Sequence, residues 1–218
     1  MRAALGLLSL FTALLLAMPV FAQQTDAEGY RPLTDWRAYK GAGLPAQWTI
    51  QNGVIQHTPG GGDLVSVEEF GNFDLSFEWQ IAPGGNSGVM YRVSEDYPGP
   101  YQSGPEYQIL DNAAGVGHDD PLQTAAGCYG LYAPTAAAKP AGEWNTARIV
   151  VDGSHVEHWL NGQKVVEYEI GSADWRARVA SSKFAAWPEY AASPGGHIDL
   201  QDHGSPVAYR NLRIKVLP

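Results

Sequence analysis

Three stretches of this chain carry side chains that could do chemistry, each held to one side of a period-2 alternation. In residues 196–215 (GHIDLQDHGSPVAYRNLRIK), Ile198 and Leu200 alternate with Asp199 and Gln201 before a turn at Gly204-Ser205-Pro206, and 207–216 runs out as a last strand. Strand geometry puts Gln201 and His203 on one face with Asp199 beside them, and Leu200 and Asp202 on the other. In 106–111 (EYQILD), Glu106 and Gln108 share a face opposite Tyr107 and Ile109, and Arg92 closes the apolar run 89–93. An outward-facing sheet shows the same alternation, more usually with Lys, Thr and Ser. Here the groups are an imidazole, a guanidinium, amides and carboxylates, each next to a Gly/Pro loop, which reads as the floor of a shared polar site.

Several reactions can be weighed against that set. A retaining glycosidase needs two carboxylates about 5 Å apart across one bond. Glu106 and Asp111 have opposite parity, and Gln108 stands where a laminarinase-type strand has its middle Asp, so conventional hydrolysis is disfavoured. No Ser-His-Asp pattern is visible. His203 with Glu106 and one further ligand, or His118 with Asp119 or Asp120, could hold a metal, and no His/Cys spacing favours either. Cys128, the single cysteine, has no partner for a disulfide and reads as a small buried filler.

The elements that must position these groups are strands. Asn52-Gly53 between 48–51 and 54–56, and Asn161-Gly162 between 156–160 and 164–170, are two-residue hairpin turns whose central residues take positive φ. Residues 73–81 (FDLSFEWQI) alternate strictly as a half-buried strand. Shorter strands are expected at 64–67, 89–93, 106–111, 128–133 and 144–152, with a glycine-rich loop at 83–88 and a rim loop at 97–104. Residues 172–184 are the one helix candidate. With no repeat and no linker, 23–218 reads as a single all-β domain, a jelly-roll β-sandwich of two antiparallel sheets with at most one short helix.

Composition agrees with this reading. The chain has 218 residues, 44% hydrophobic and 17% charged, with 25 Gly, 15 Pro, 7 Trp and 11 Tyr, a turn-rich and aromatic-rich balance that supports a β core. The net charge of −9 and the lack of any Lys/Arg cluster argue against nucleic acid and anionic membrane surfaces, and suit a neutral ligand such as a sugar. Residues 1–22 read as a secretory signal: Arg2, an apolar run from Ala3 to Ala17, and Val20-Phe21-Ala22 before Gln23. Export to the periplasm or the medium is therefore expected, with no membrane attachment after cleavage.

Taken in order, NSGVMYR (86–92), EYQILD (106–111), GCYGLYAP (127–134), GEWNTARI (142–149), HWLNG (158–162) and GHIDLQDHGSPVAYRNLRIK (196–215) resemble the 3-keto-disaccharide hydrolase domain family, one of the concanavalin A-like lectin/glucanase jelly rolls. The resemblance runs unbroken from about 48 to 217. It departs at 31–36, where Arg-Pro-Leu-Thr-Asp-Trp replaces the usual Leu-Phe-Asn-Gly opening, and at Cys128, where a small residue such as Ala is usual. It implies cleavage of oxidised glycosides or oligosaccharides bearing a C3 ketone. The ketone acidifies the hydrogen on C2, a base removes it, and the enolate expels the group at C1. Water then adds back, so the net reaction is a hydrolysis. One base and an enolate stabiliser suffice, without two opposed carboxylates.

On that basis Glu106 or His203 is the general base, and Arg92 stabilises the enolate oxygen or binds the ketone. Gln108 and Gln201 hold hydroxyls, while Asn86, Tyr129 and Trp144 line the cleft. Asp202 orients His203 only if the turn brings it round against its parity. Arg210 points inward with Leu212 and Ile214 by parity, to bind substrate or to pair with an acid in a structural role. A divalent metal at the enolate would assist, and the sequence leaves it open, along with the oligomeric state. The alternative is a non-catalytic lectin-like carbohydrate-binding module on the same fold, for which Tyr97, Tyr101 and Trp187 are candidate platforms.

Overall fold

The computed structural model describes residues 25–218, so the signal segment at 1–22 lies outside the described residues. In chain order the strands are β1 (Arg31–Pro32), β2 (Trp36–Ala38), β3 (Trp48–Gln51), β4 (Val54–His57), β5 (Leu64–Phe70), β6 (Phe73–Ile81), β7 (Asn86–Val93), β8 (Glu106–Leu110), β9 (Asn145–Asp152), β10 (His155–Leu160), β11 (Gln163–Glu169), β12 (Gly196–Leu200) and β13 (Val207–Val216). They form two antiparallel sheets. One has the order β11-β10-β9-β6-β13-β4-β3, with β1 on β13, and the other β2-β5-β12-β7-β8. This is the jelly-roll sandwich that the alternation implies. Among the described residues no helix is long and apolar enough to cross a membrane.

The core is the layer between the sheets. Phe73, Leu75, Phe77, Trp79 and Ile81, one face of β6, are each at most 2% exposed. Each such side chain contributes roughly 1.5–3 kcal/mol of burial free energy. Asn52-Gly53 and Asn161-Gly162 both sit at positive φ, as their hairpins require. Cys128 is fully buried, and desolvation pushes its thiol up to about 12, so it is a filler and not a nucleophile.

Four expectations are corrected, each for a backbone reason. Residues 128–133 form no strand: Cys128 makes single bridges to Tyr107 and Tyr132, and the segment turns tightly through Gly130 at φ 69°. The loop expected at 83–88 is half strand, because Asn86, Ser87 and Gly88 pair with Leu110, Ile109 and Gln108 at the sheet edge. The helix candidate is broken. Ser172 caps α1 (Ala173–Ala180), and Ser182 caps a separate 3-10 turn over Lys183–Ala186. Finally, the strand expected to carry Gln201 and His203 ends at Leu200, and β12 and β13 lie in different sheets. The Gly204 turn carries the chain from one sheet to the other, so the segment 201–206 crosses the open end of the sandwich.

Candidate active site

The outer face of the five-stranded sheet carries the polar rows. Register places Val65, Asp199, Met90 and Glu106 side by side across β5, β12, β7 and β8. One step along, Gly88 pairs with Gln108, and the Gln201 amide donates to the Gly88 carbonyl (3.0 Å), extending pairing past the end of β12. Over these rows opens a cavity of about 410 Å³, lined by Asp63, Asn86, Tyr101, Glu106, Gln108, Tyr129, Lys183, Gln201, Asp202 and His203. A sequence-expected set of seven therefore meets in one place: Asn86, Glu106, Gln108, Tyr129, Gln201, Asp202 and His203.

Three expected residues stand elsewhere. β7 carries an extra residue against β12 between Met90 and Val93, and Arg92 takes φ 57°. That bulge turns its guanidinium away from the cavity to donate to the Gly153 carbonyl at the β9–β10 turn. A second bulge, at Asn211 with φ 54°, reverses parity within β13, so Tyr209, Leu212 and Ile214 point inward and Arg210 outward. Arg210 pairs there with Glu78 (2.6 Å) and lies 4.0 Å from the centre of the Trp144 ring, which puts both Arg210 and Trp144 on the opposite sheet. Arg210→Ala and Trp144→Ala are expected to change kcat/KM on any cavity substrate less than about twofold, as measured by steady-state kinetics.

Asp202 lines the cavity without orienting His203. Its carboxylate faces His57 Nε2 (3.2 Å) and accepts from the amides of Gly62 (3.1 Å) and Gly204 (3.0 Å). His57, its ring tilted against that of Trp48 (centroids 4.4 Å apart), thus anchors the 201–206 crossing to the 60–62 loop. His203 itself is exposed at the mouth. Asp111, the other carboxylate of the 106–111 strand, caps the amides of Gly84 and Ala113 outside this cavity. His118 bonds the Gly115 carbonyl, and Asp120 caps a 3-10 turn.

The electrostatics are dominated by burial. Glu106 is 6% exposed, and desolvation pushes its carboxyl up to about 8, opposed by Lys183 and reinforced by Asp63. Asp63 rises to about 6, chiefly by desolvation, although it accepts the Asp202 amide (2.6 Å). Asp199 is fully buried with neither oxygen hydrogen-bonded among the described residues, and desolvation followed by Asp63 and Glu106 raises it well above the usual range. Lys183 is lowered by desolvation against the pull of Glu106. Its ammonium lies 4.3 Å from the Tyr129 ring centre and 5.8 Å from that of Tyr101. Asn86 Oδ1 and Gln201 Oε1 are also buried without partners among the described residues. A site of unpaired acceptors with protonated acids calls for a ligand rich in hydroxyls.

Residues 27–215 match the sequence pattern of the 3-keto-alpha-glucoside-1,2-lyase-like domain. The chain belongs to that family. A 3-keto-disaccharide hydrolase of Bacteroides thetaiotaomicron is 37% identical over 231 residues, covering 88% of this chain and 80% of the relative. A crystal structure from Parabacteroides distasonis, described as a candidate glycosyl hydrolase, superposes with a TM-score of 0.80 at 36% identity, covering 88% of this chain and 95% of that one. The carbohydrate binding module CBM66 of Bacillus subtilis, at 11% identity and a TM-score of 0.53, covers 84% of this chain and 96% of its own, and shares the fold alone.

The sequence reading did not assign Asp63, Lys183 or Tyr101 to the site. Asp63 carries only the signal of following Gly60-Gly61-Gly62, and Lys183 sits inside an apparent helix. Tyr101 reads from sequence as a candidate platform of the lectin-like alternative and not as part of a catalytic cavity. As for metals, the only group of three His, Cys, Asp or Glu donors within 4.8 Å among the described residues is His155, Glu157 and Glu167. Glu157 and Glu167 there already pair with Lys164, on the other sheet.

Proposed function

We propose that this protein cleaves glycosides whose sugar carries a ketone at C3, by elimination across C1–C2 followed by addition of water. One observation carries the reading: Glu106, a buried carboxyl that desolvation pushes up to about 8, shares a cavity with the His203 imidazole and with Lys183. The names of the family and of its Bacteroides relative support the same substrate class.

The roles follow from the proton inventory. His203, at the mouth, takes the C2 proton that the ketone has acidified. As the electron pair moves into C1–C2 and the C1–O bond breaks, Glu106 gives its proton to the departing oxygen. Lys183, and not Arg92, is the cation of the cavity, and it faces the negative charge that develops on the departing oxygen. Asn86, Gln108 and Gln201 bind hydroxyls of the oxidised ring. Water then adds its hydroxyl to C1 and gives its remaining proton to Glu106, while the proton on His203 returns to C2, which restores the 3-keto sugar and both catalytic groups. Glu106, read from sequence as a candidate base, thereby becomes the acid. His203→Ala is expected to lower kcat at least a hundredfold with an unchanged far-UV CD spectrum; unchanged turnover removes His203 from the mechanism.

The deciding assay uses the chain from Gln23 onward with a chromogenic 3-keto-glucoside and its unoxidised parent, each with and without a chelator. Release from the keto substrate alone is the expected result. Loss of release under chelator would add a divalent metal to the site. Release from neither, with saturable binding of plain oligosaccharides, would overturn the enzyme reading in favour of a binding module. We further propose export directed by residues 1–22, which cell fractionation after deletion of that segment tests.

A further inference from the structure

We propose that the wall formed by Tyr101, Lys183 and Tyr129 is a leaving-group subsite, built for a leaving group that presents a flat, apolar ring face. This rests on the proposed 3-keto-glycoside reading and says which side of the bond goes where.

Register orders the floor of the cavity: Gln201 continues β12, Asn86 lies on β7, Glu106 and Gln108 lie on β8, and the Tyr129 segment follows on the far side of β8. The unpaired Asn86 and Gln201 oxygens call for donors such as ring hydroxyls. Beyond β8 stand the Tyr101 and Tyr129 rings, with the Lys183 ammonium set against them. Glu106 lies toward this wall: its carbonyl accepts the Tyr129 amide (3.0 Å), and its charge acts on both Lys183 and Tyr129. The proton donor for the departing oxygen therefore stands on the strand next to the aromatic wall, and the Asn86 and Gln201 amides lie on the strands beyond it.

The wall is also fixed in place. Tyr101 sits in a 3-10 turn, Pro100–Gln102, closed by Gly99 N–H to Gln102 Oε1 (2.8 Å). Its ring packs so closely over Gly99 that a Cβ there would lie 2.6 Å from it. Trp187 meets the ring edge-on, with centroids 5.4 Å apart. The Ala191 amide bonds the Ser103 carbonyl (2.8 Å), tying the segment after Lys183 to the segment after Tyr101. Yet Tyr101 remains 40% exposed, an aromatic surface held rigid and left uncovered. A rigid ring at a cavity wall stacks on an aromatic leaving group or on the C–H face of a second pyranose, and the two share this chemistry.

The test compares 3-keto-glucosides whose leaving groups differ in shape at comparable acidity: phenyl against hexafluoroisopropyl, and glucosyl against trifluoroethyl. In the wild type kcat/KM is expected to favour the ring-bearing member of at least one pair. Tyr101→Leu should shrink that preference about tenfold, the effect of losing one stacking contact, and Tyr101→Phe should keep it. The phenyl and glucosyl arms separate the two sources of the ring. Wild-type enzyme that cleaves none of the four overturns the 3-keto reading and the subsite together. Wild-type enzyme that cleaves them with a preference unchanged in a folded Tyr101→Leu variant overturns the subsite alone.

Discussion

Replacing Glu106 with Gln is expected to lower kcat on a 3-keto-glucoside about a thousandfold, within the range for loss of a general acid, while making the protein more stable at alkaline pH. The two effects share one cause. The carboxyl belongs near 4.5 when the chain is unfolded and near 8 when desolvation holds it in the cavity. Between those values the folded state keeps a proton that the unfolded state releases, so stability falls as pH rises from about 4.5 and levels off above about 8. Gln at this position does not titrate. The variant should therefore match the wild type near pH 4 and exceed its Tm at pH 9 by roughly 10–20 °C. Wild-type kcat/KM should fall as pH rises through about 8, because the donor must carry its proton. A rate that instead climbs through pH 8 would return Glu106 to the role of base. Asp63 and Asp199, raised for the same reason, add to the fall in stability with the same sign.

The second large effect is expected from a residue with no chemistry of its own. Gly88 lies beneath the Glu106 side chain, and a Cβ added there would stand 2.8 Å from Glu106 Cγ. Gly88 does not need its freedom of φ; it is required because the acid occupies the volume of the missing methyl. Gly88→Ala should drive the carboxyl out of line with the scissile oxygen and lower kcat/KM about a hundredfold. The accompanying loss of about 1–3 kcal/mol is that of an overpacked site. Thermal melts in a Glu106→Ala background provide the check. With the acid removed, the same Gly88→Ala change should cost almost no Tm, a coupling that only direct contact produces. An equal loss in both backgrounds would mean that Gly88 serves the β7–β8 pairing instead.

Much of this site was legible in the alternation of β8 and of the residues after β12. Glu106 and Gln108 share a face because they alternate on β8, and Gln201 and His203, just past the end of β12, enter the same cavity from the crossing segment. Parity failed where the backbone left the regular pleat. Arg92 and Arg210 each stand at a bulge marked by positive φ at Arg92 and Asn211, residues with no glycine to announce it. One extra residue flips every later side chain, so both arginines were assigned to the wrong side. Lys183 was hidden for a different reason. Its position depends on Ser182 ending one helical turn and starting another, a local choice decided by how Phe184 and Tyr190 pack (ring centroids 4.2 Å apart).

By itself, the sequence determined the all-β class, the hairpins at Asn52-Gly53 and Asn161-Gly162, the buried face of β6 and the family. Each depends on short-range periodicity, turn chemistry or a run of motifs in order. Tertiary structure alone decided which cation enters the cavity, that Asp202 belongs to His57 and not to His203, and that burial raises the Glu106 carboxyl. Those outcomes depend on desolvation and on contacts between segments up to about a hundred and fifty residues apart, such as His57 with Ser205, and no local pattern encodes them.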